Sequence, residues 1–405
     1  MSATANITFP HLTSTRQELW RSRLVMISLW IWCALLSFPL ITVDAFEVTT
    51  NKLLVYQGAG LLQFVIVTMA VVPVRAAGAL IRYTPFQATI VLVILLSLAL
   101  QFHGPEASII EGIGYTLALL AAILCLSAVW TMRPDELATC FGGIAVVLVA
   151  SGVCAIAVFG WPEGRRVGGI HPNAFGSIML AGFVLSQFCE GFLMLGLRVV
   201  CVILAAAVSS RFAVIGCVLA FLVVETRSRS SRLRLALLAL AGAACLLLFP
   251  HFLMDLLALD DPERNLDSGF TGRDDQWSRA LEAITDAPFG LGFKRPPPEQ
   301  SGHNGYLRWL VEFGVVGGSL IIASTLATVV SALIEASLFS GADDRLRRLA
   351  SARAGGLVAL TFASFFQPQM FNLGDIHGLT VMLMLFSPRI GPDIRRRRRA
   401  DNRDP

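Results

Sequence analysis

The chain has 405 residues, of which 55% are apolar and only 15% charged, with a mean hydropathy of +0.68. A soluble domain carries roughly 25% charged residues, so the composition excludes an ordinary soluble enzyme and points to a polytopic membrane protein. The net charge is +4, and all the basic residues except Lys52 and Lys294 are arginine.

A polar leader over 1–23 precedes the first apolar run, Leu24 to Val43. That run lacks a small-x-small cleavage site and reads as a retained span. A helix needs about 20 apolar residues to cross the hydrocarbon core. Segments of that kind follow near 53–74, 86–102, 111–131, 137–159 and 174–195, then near 233–252, 303–330, 353–367 and 374–390. All eight cysteines fall in apolar runs and no C-x-x-C occurs, so they read as small core hydrophobes.

Between the sixth and seventh segments, Leu197–Val224 is apolar except for Ser209-Ser210-Arg211. As one helix it would hold Arg211 near mid-bilayer, at a cost of about 2.5–3.5 kcal/mol. As two halves, 197–208 and 212–224, it makes a hairpin with Arg211 at the tip. The hairpin gives about twelve segments with both ends on one side, where most arginines then gather. The opposite side receives Lys52, Arg165, Arg166, Arg211, Arg264, Arg273, Arg279, Lys294 and Arg295. The bias of basic residues toward the inside therefore places both termini in the cytoplasm. Halves this short put the tip below the outer membrane surface, lining a cavity.

The expected organisation is a leader (1–23), N-terminal spans (24–160), spans containing the hairpin (161–252), one large outer loop (253–302), C-terminal spans (303–390) and a basic tail (391–405). In the outer loop, Thr271 and Asp274 have capping-box spacing, and Trp277, Leu281 and Ile284 form one apolar face. This predicts a short amphipathic helix on the membrane face with Arg273 in its first turn. A cation there works against the helix dipole, which favours anions. The loop closes with a turn at Pro288–Phe293 and a stiff Pro296–Pro298 connector that delivers the chain to His303.

Some polar residues have two readings. His303 is a base at the lip of an apolar segment, or a helix cap. Asn173 is a helix N-cap or a donor contact. Arg165-Arg166 bind an anion or form a solvated pair. Glu312 pairs with an arginine across the cavity or makes a structural contact. His, Cys, Asp and Glu nowhere cluster at metal-ligand spacing, and no cofactor or metal is expected. The arginine runs near 227–234 and 395–399 are explained by topology and anionic membrane lipids without nucleic acid.

Four stretches in order resemble one family. TGRDDQWSRALEAITDAPFGLGF (271–293) is similar to the T-G-R, W, P-x-G-x-G pattern of O-antigen ligases and O-antigen polymerases. HNGYLRWLVEFGVVG (303–317) resembles that family's His-Asn motif opening a transmembrane helix. SSRFAVIG (209–216) resembles its hairpin tip, and GGIHPNAFGSIML (168–180) its Pro-Asn element. The resemblance spans roughly residues 150–370. It implies an all-α, GT-C-like glycosyltransferase of the inner membrane, with its active site facing the periplasm. Its donor would be a glycan on undecaprenyl diphosphate. Its acceptor would be lipid A-core for a ligase, or a growing lipid-linked glycan for a polymerase. Family logic assigns catalysis to His303, Arg211 and Arg273. Arg165, Arg166, Asn173, Arg279, Asn304, Tyr306 and Glu312 are expected to bind substrate. The chain departs from the family's commonest form in having Ser301-Gly302 where many relatives carry a second His, and in its rather short outer loop.

A secondary transporter is the rival reading. Ion-coupled transporters carry acidic groups near the membrane midplane, whereas Asp and Glu here lie almost wholly in loops and at helix ends.

Overall fold

The computed structural model describes residues 16–37, 50–71, 83–99, 109–162, 165–226, 274–294, 303–339, 344–368 and 370–388. The expected span 233–252, Arg273, the outer loop up to that residue, the Pro296–Pro298 connector and the basic tail lie outside the described residues. Twelve helices are described: α1 (Arg16–Ser37), α2 (Thr50–Val71), α3 (Pro85–Leu96), α4 (Ile109–Val129), α5 (Pro134–Phe159), α6 (Pro172–Ser186), α7 (Phe192–Ala207), α8 (Arg211–Glu225), α9 (Asp274–Asp286), α10 (Gly305–Leu338), α11 (Asp344–Ala363) and α12 (Ile376–Leu385). An isolated bridge between Val167 and Ile170 is the only β pairing among the described residues.

By length and composition, four of these helices can cross a membrane: α1, α4, α5 and α10. Large apolar side chains on outward faces are bare, among them Val55, Ile110, Phe192 and Val316. Helices α6 and α12 are instead apolar and buried almost all round, and the charge-bearing α11 is also largely buried. A helix buried all round belongs in the centre of a bundle, and one with bare apolar faces belongs against lipid. The molecule is thus an all-helical bundle with the character of a membrane protein.

Polar contacts fix the directions of the helices. The Trp30 indole donates to the Cys140 carbonyl at 2.8 Å, and Ser37 pairs with Ser151 at 2.9 Å, so α1 and α5 run parallel. Gln63 donates to the Ser28 carbonyl at 2.6 Å, which turns α2 back along α1. Gly355 of α11 stands against the Ala220 carbonyl and Val224 of α8. Gly356 stands against Val184 of α6 and Met384 of α12. Small residues at these crossings let the backbones approach closely, the usual packing of helices in lipid.

The hairpin is present. Helix α7 has 16 residues and α8 has 15, separated by Val208-Ser209-Ser210. Each is therefore about 23 Å long, short of a hydrocarbon core of about 30 Å.

Helix α10 departs from expectation, because the His-Asn motif does not open a straight span. Gly314 has φ 75° and ψ 175°, which breaks the helix. A Cβ on Gly318 would lie 2.8 Å from the Leu310 Cα, and a straight helix would hold those residues about 12 Å apart. The chain bends sharply, so 305–313 is a short leading segment and 315–338 is the long apolar one.

Candidate functional site

The starts of α6, α8, α10 and α12 share one end of the bundle with the loop after α9. Helices α8 and α11 are antiparallel, with Ala220 beside Gly355. Counting outward from that contact brings Arg211 level with Ser364, just past the end of α11. The Ser364 carbonyl accepts the Gly305 N–H at 2.8 Å, and its hydroxyl lies 3.1 Å from Nε2 of the buried His377. Ser364 therefore joins the start of α10 to the start of α12, level with the hairpin tip.

The four motif stretches meet in two pairs. In the first, Gly176 of α6 lies against the Ser210 side chain, and Ala213 Cβ would be 3.2 Å from a Cβ placed there. The element ahead of α6 is thus packed against the hairpin tip. Arg165, in the loop just before that element, feels the Arg211 charge. Arg211 is half-buried and Arg166 is exposed.

In the second pair, the P-x-G-x-G loop is bonded into the broken helix. The Val315 N–H donates to the Pro288 carbonyl at 2.8 Å. The Val311 carbonyl, its partner in an unbroken helix, accepts from Leu291 at 2.9 Å. The Glu312 carbonyl accepts from Gly292, also at 2.9 Å. The loop so supplies the hydrogen bonds that the bend removes. Two glycines make the approach possible. A Cβ on Gly290 would stand 2.7 Å from the Glu312 carbonyl oxygen, and one on Gly314 would stand 2.6 Å from the Pro288 oxygen. Both residues also have positive φ, 94° and 75°. Phe293 then stacks on Phe313 at 5.8 Å.

His303 is exposed and precedes Asn304, the N-cap of α10. The Asn304 side-chain oxygen accepts from the N–H groups of Tyr306 and Leu307 at 2.9 and 3.2 Å. Asn304 therefore does the capping, which leaves the capping alternative for His303 without a role. Tyr306 is buried and donates its hydroxyl to the Thr361 carbonyl at 2.8 Å.

Of the two readings of Glu312, the structural contact is the one seen. Glu312 is buried and accepts from Arg308 Nε at 2.8 Å, one turn back on the same helix, not from an arginine across a cavity. The same carboxylate oxygen accepts the Lys294 N–H at 3.2 Å. Asn173 is not the N-cap of α6. His171 holds that place and accepts the Asn173 N–H through Nδ1 at 3.2 Å, with Pro172 at the first helical position. Helix α9 forms as expected but buries a different stripe. Ala280, Ala283 and Ile284 pack on Val311, Leu291 and Leu307, while Leu281 is left exposed. Arg279 is also exposed and donates to the Asp275 carbonyl of its own helix at 3.3 Å.

The sequence reading missed Lys294, Arg308 and Asp375. Asp375 caps α12 and accepts from the N–H groups of His377 and Gly378 at 2.7 and 3.3 Å. Burial, reinforced by the Arg308 charge, brings the Lys294 ammonium down to about 8, while Glu312 and Asp375 pull the other way. Between about 8 and 10.5 the unfolded chain binds the extra proton at Lys294, so this group adds stability as pH rises through that window. At neutral pH the Lys294 ammonium is held ionised at a cost. The signal that could have pointed to Lys294 is its rarity, as one of two lysines in the chain.

Backbone strain has the same address. The non-glycine residues with left-handed φ among those described are Arg165 (73°), Ser209 (50°), Lys294 (63°) and His303 (47°). All four lie at this end, and each such residue costs on the order of 1–3 kcal/mol. Strain and shifted ionisation gathered in one place mark a functional site. Among the described residues, no group of three or more His, Cys, Asp or Glu side chains could hold a metal ion.

A family model described as O-antigen ligase matches residues 192–322. The match begins at the first residue of α7 and ends beyond the bend in α10, so it includes the hairpin, α9, the loop and the His-Asn start. No curated protein matches the chain.

Proposed function

We propose that this chain, whose residues 192–322 match a family model described as O-antigen ligase, is a membrane glycosyltransferase of ligase type. It moves a glycan from an undecaprenyl-diphosphate carrier to an acceptor hydroxyl, that of lipid A-core, at the periplasmic face of the inner membrane. The chain crosses that membrane about twelve times with both termini in the cytoplasm.

The acceptor oxygen forms a bond to the anomeric carbon as the bond from that carbon to the phosphate oxygen breaks. His303 takes the hydroxyl proton, and the electron pair leaves with the diphosphate. Imidazole suits this because it accepts a proton near neutral pH. The growing charge on the leaving group is met by guanidinium forks in a water-poor site, the role of Arg211 and Arg273. Arg165 stands beside Arg211 as a second cation for the same anion. Direct displacement inverts the anomeric carbon.

The observation that carries this reading is the gathering of the hairpin tip, the His303 helix start and all four left-handed non-glycine residues at one end of the bundle. The test is the glycan profile of cells lacking the gene and complemented with wild type, His303→Ala or Arg211→Ala. Core lipid without polymer, together with full-length lipid-linked chains, identifies a ligase. Single repeat units in place of long chains identify a polymerase. Normal profiles from both variants sink the assignment and bring transport to the front.

A further inference from the structure

Residues 315–334 of α10 carry no charged side chain, and at 1.5 Å per residue they run about 30 Å, the thickness of the hydrocarbon core. Val316, Leu320, Leu326, Val330 and Ile334 are bare and follow helical spacing down one side. The next charged residue is Glu335, paired with Arg353 at 2.6 Å. A charge-free segment of that length fills the core from end to end. The break at Gly314 therefore lies where acyl chains give way to headgroups, at the His303 end.

The loop after α9 meets the helix at the same level. The Val315 N–H donates to the Pro288 carbonyl at 2.8 Å, and a Cβ on Gly314 would lie 2.5 Å from the Phe289 oxygen. Beside that contact, Phe289, Val315 and Val316 all leave apolar side chains bare, Phe289 to 81%. Helix α9 keeps Arg279, Glu282 and Asp286 exposed, as a helix in water does, but no charge follows between Asp286 and Lys294. Backbone at membrane depth must have its polar groups bonded. Gly290 donates to the Ala287 carbonyl at 2.9 Å, and Leu291 and Gly292 donate to α10. One exposed apolar side chain is ordinary, whereas a patch continuous with a lipid-facing stripe marks a contact surface.

We infer that Phe289 is a membrane anchor: its ring inserts among the acyl chains of the leaflet at the His303 end and holds the loop and the Gly314 bend at the lipid boundary. A wholly apolar ring suits the acyl side of that boundary, where Trp and Tyr would stay at headgroup level. The leading segment of α10 hangs from the bend, so the anchor fixes the height of His303 in the bilayer.

The inference rests on the reading of α10 as a span and does not use the transfer reaction. Full-length protein is reconstituted in phosphatidylcholine nanodiscs containing lipid spin-labelled near either the headgroup end or the methyl end of its acyl chain. Fluorescence of Phe289→Trp and Leu326→Trp is read against wild type, whose seven tryptophans set the background. The signal added at 289 should fall about twofold with the shallow label and little with aqueous iodide. Leu326→Trp, about 16 Å further along α10, should answer to the deep label. If Leu326→Trp is quenched by lipid while Phe289→Trp answers only to iodide, or to neither quencher, the anchor is overturned and the span stands. If Leu326→Trp is untouched by lipid, the span fails and the anchor with it.

Hydrogen exchange in the same nanodiscs supplies a second readout. Phe289→Asp puts a charge where the acyl chains are, and removing an exposed ring leaves no cavity in the protein. Exchange at the Leu291 and Gly292 amides should rise about tenfold in that variant and stay near wild type in Phe289→Leu. Unchanged exchange in Phe289→Asp overturns the anchor.

Discussion

The two ends of the bundle use their charges in different ways. At the end away from His303, Arg198 donates to the carbonyls of Ser186 and Cys189 at 2.7 and 2.6 Å. Arg348 reaches the same Cys189 carbonyl at 3.0 Å and pairs with Glu190. Arg353 pairs with Glu335 at 2.6 Å inside the protein. These cations close the C-terminal end of α6 and pair with nearby carboxylates, as helix ends require. The His303 end has an opened helix and left-handed side-chain-bearing residues. Regular backbone with matched charges anchors a bundle. Backbone strain persists only where the surrounding structure enforces it, and it marks the end where chemistry is expected.

Substitutions can break that contrast. The largest effect is expected from His303→Ala, which should lower transfer about 10²–10⁴-fold, the usual worth of a general base. Its abundance in the membrane should stay near wild type, since Asn304 and not His303 caps the helix. A matching loss of protein would assign His303 to structure.

Arg353→Ala belongs to the other end and should do the opposite. It strands the Glu335 carboxylate and should cost about 3–5 kcal/mol of stability. Thermal denaturation in detergent would show the drop, while transfer per folded molecule should hold. Equal loss of specific activity would show that the ends are coupled.

Gly290→Ala tests the junction itself. The added methyl meets the Glu312 carbonyl and the backbone of Phe313 at a residue whose φ is 94°. A loss of roughly 1–3 kcal/mol is expected from the strained backbone alone. Exchange protection should fall in the loop and leading segment of α10 before it falls in α11. The smallest effect is expected from Arg345→Ala. Its partner Asp135 is 2.8 Å away, but both side chains are 70% exposed, so less than about 1 kcal/mol is at stake. A larger shift in melting temperature would mean that the pair belongs to a wider network.

Much of this protein could be read without coordinates. The apolar segments and the break at Ser209-Ser210 follow from hydropathy, length and the cost of burying Arg211, and all of these are local quantities. The His303-Asn304 motif and the amphipathic helix before the loop were legible for the same reason. The buried stripe of α9 was not, because Ala280 and Ala283 are chosen by the close approach of α10, whereas hydropathy favours Leu281. Nor was the bend at Gly314. Its hydrogen bonds are supplied by residues 288–292, far back in the chain, and such pairing has no periodicity to detect.

The charge cluster of Lys294, Arg308, Glu312 and Asp375 illustrates the division. Sequence alone decided that this chain builds apolar helices, where most of them run, and that a histidine and an arginine stand at helix starts. Only the tertiary structure decided that the Glu312 carboxylate, paired with Arg308 on its own helix, also takes the Lys294 N–H from the loop after α9, because that contact depends on a distance set by separate segments of the chain.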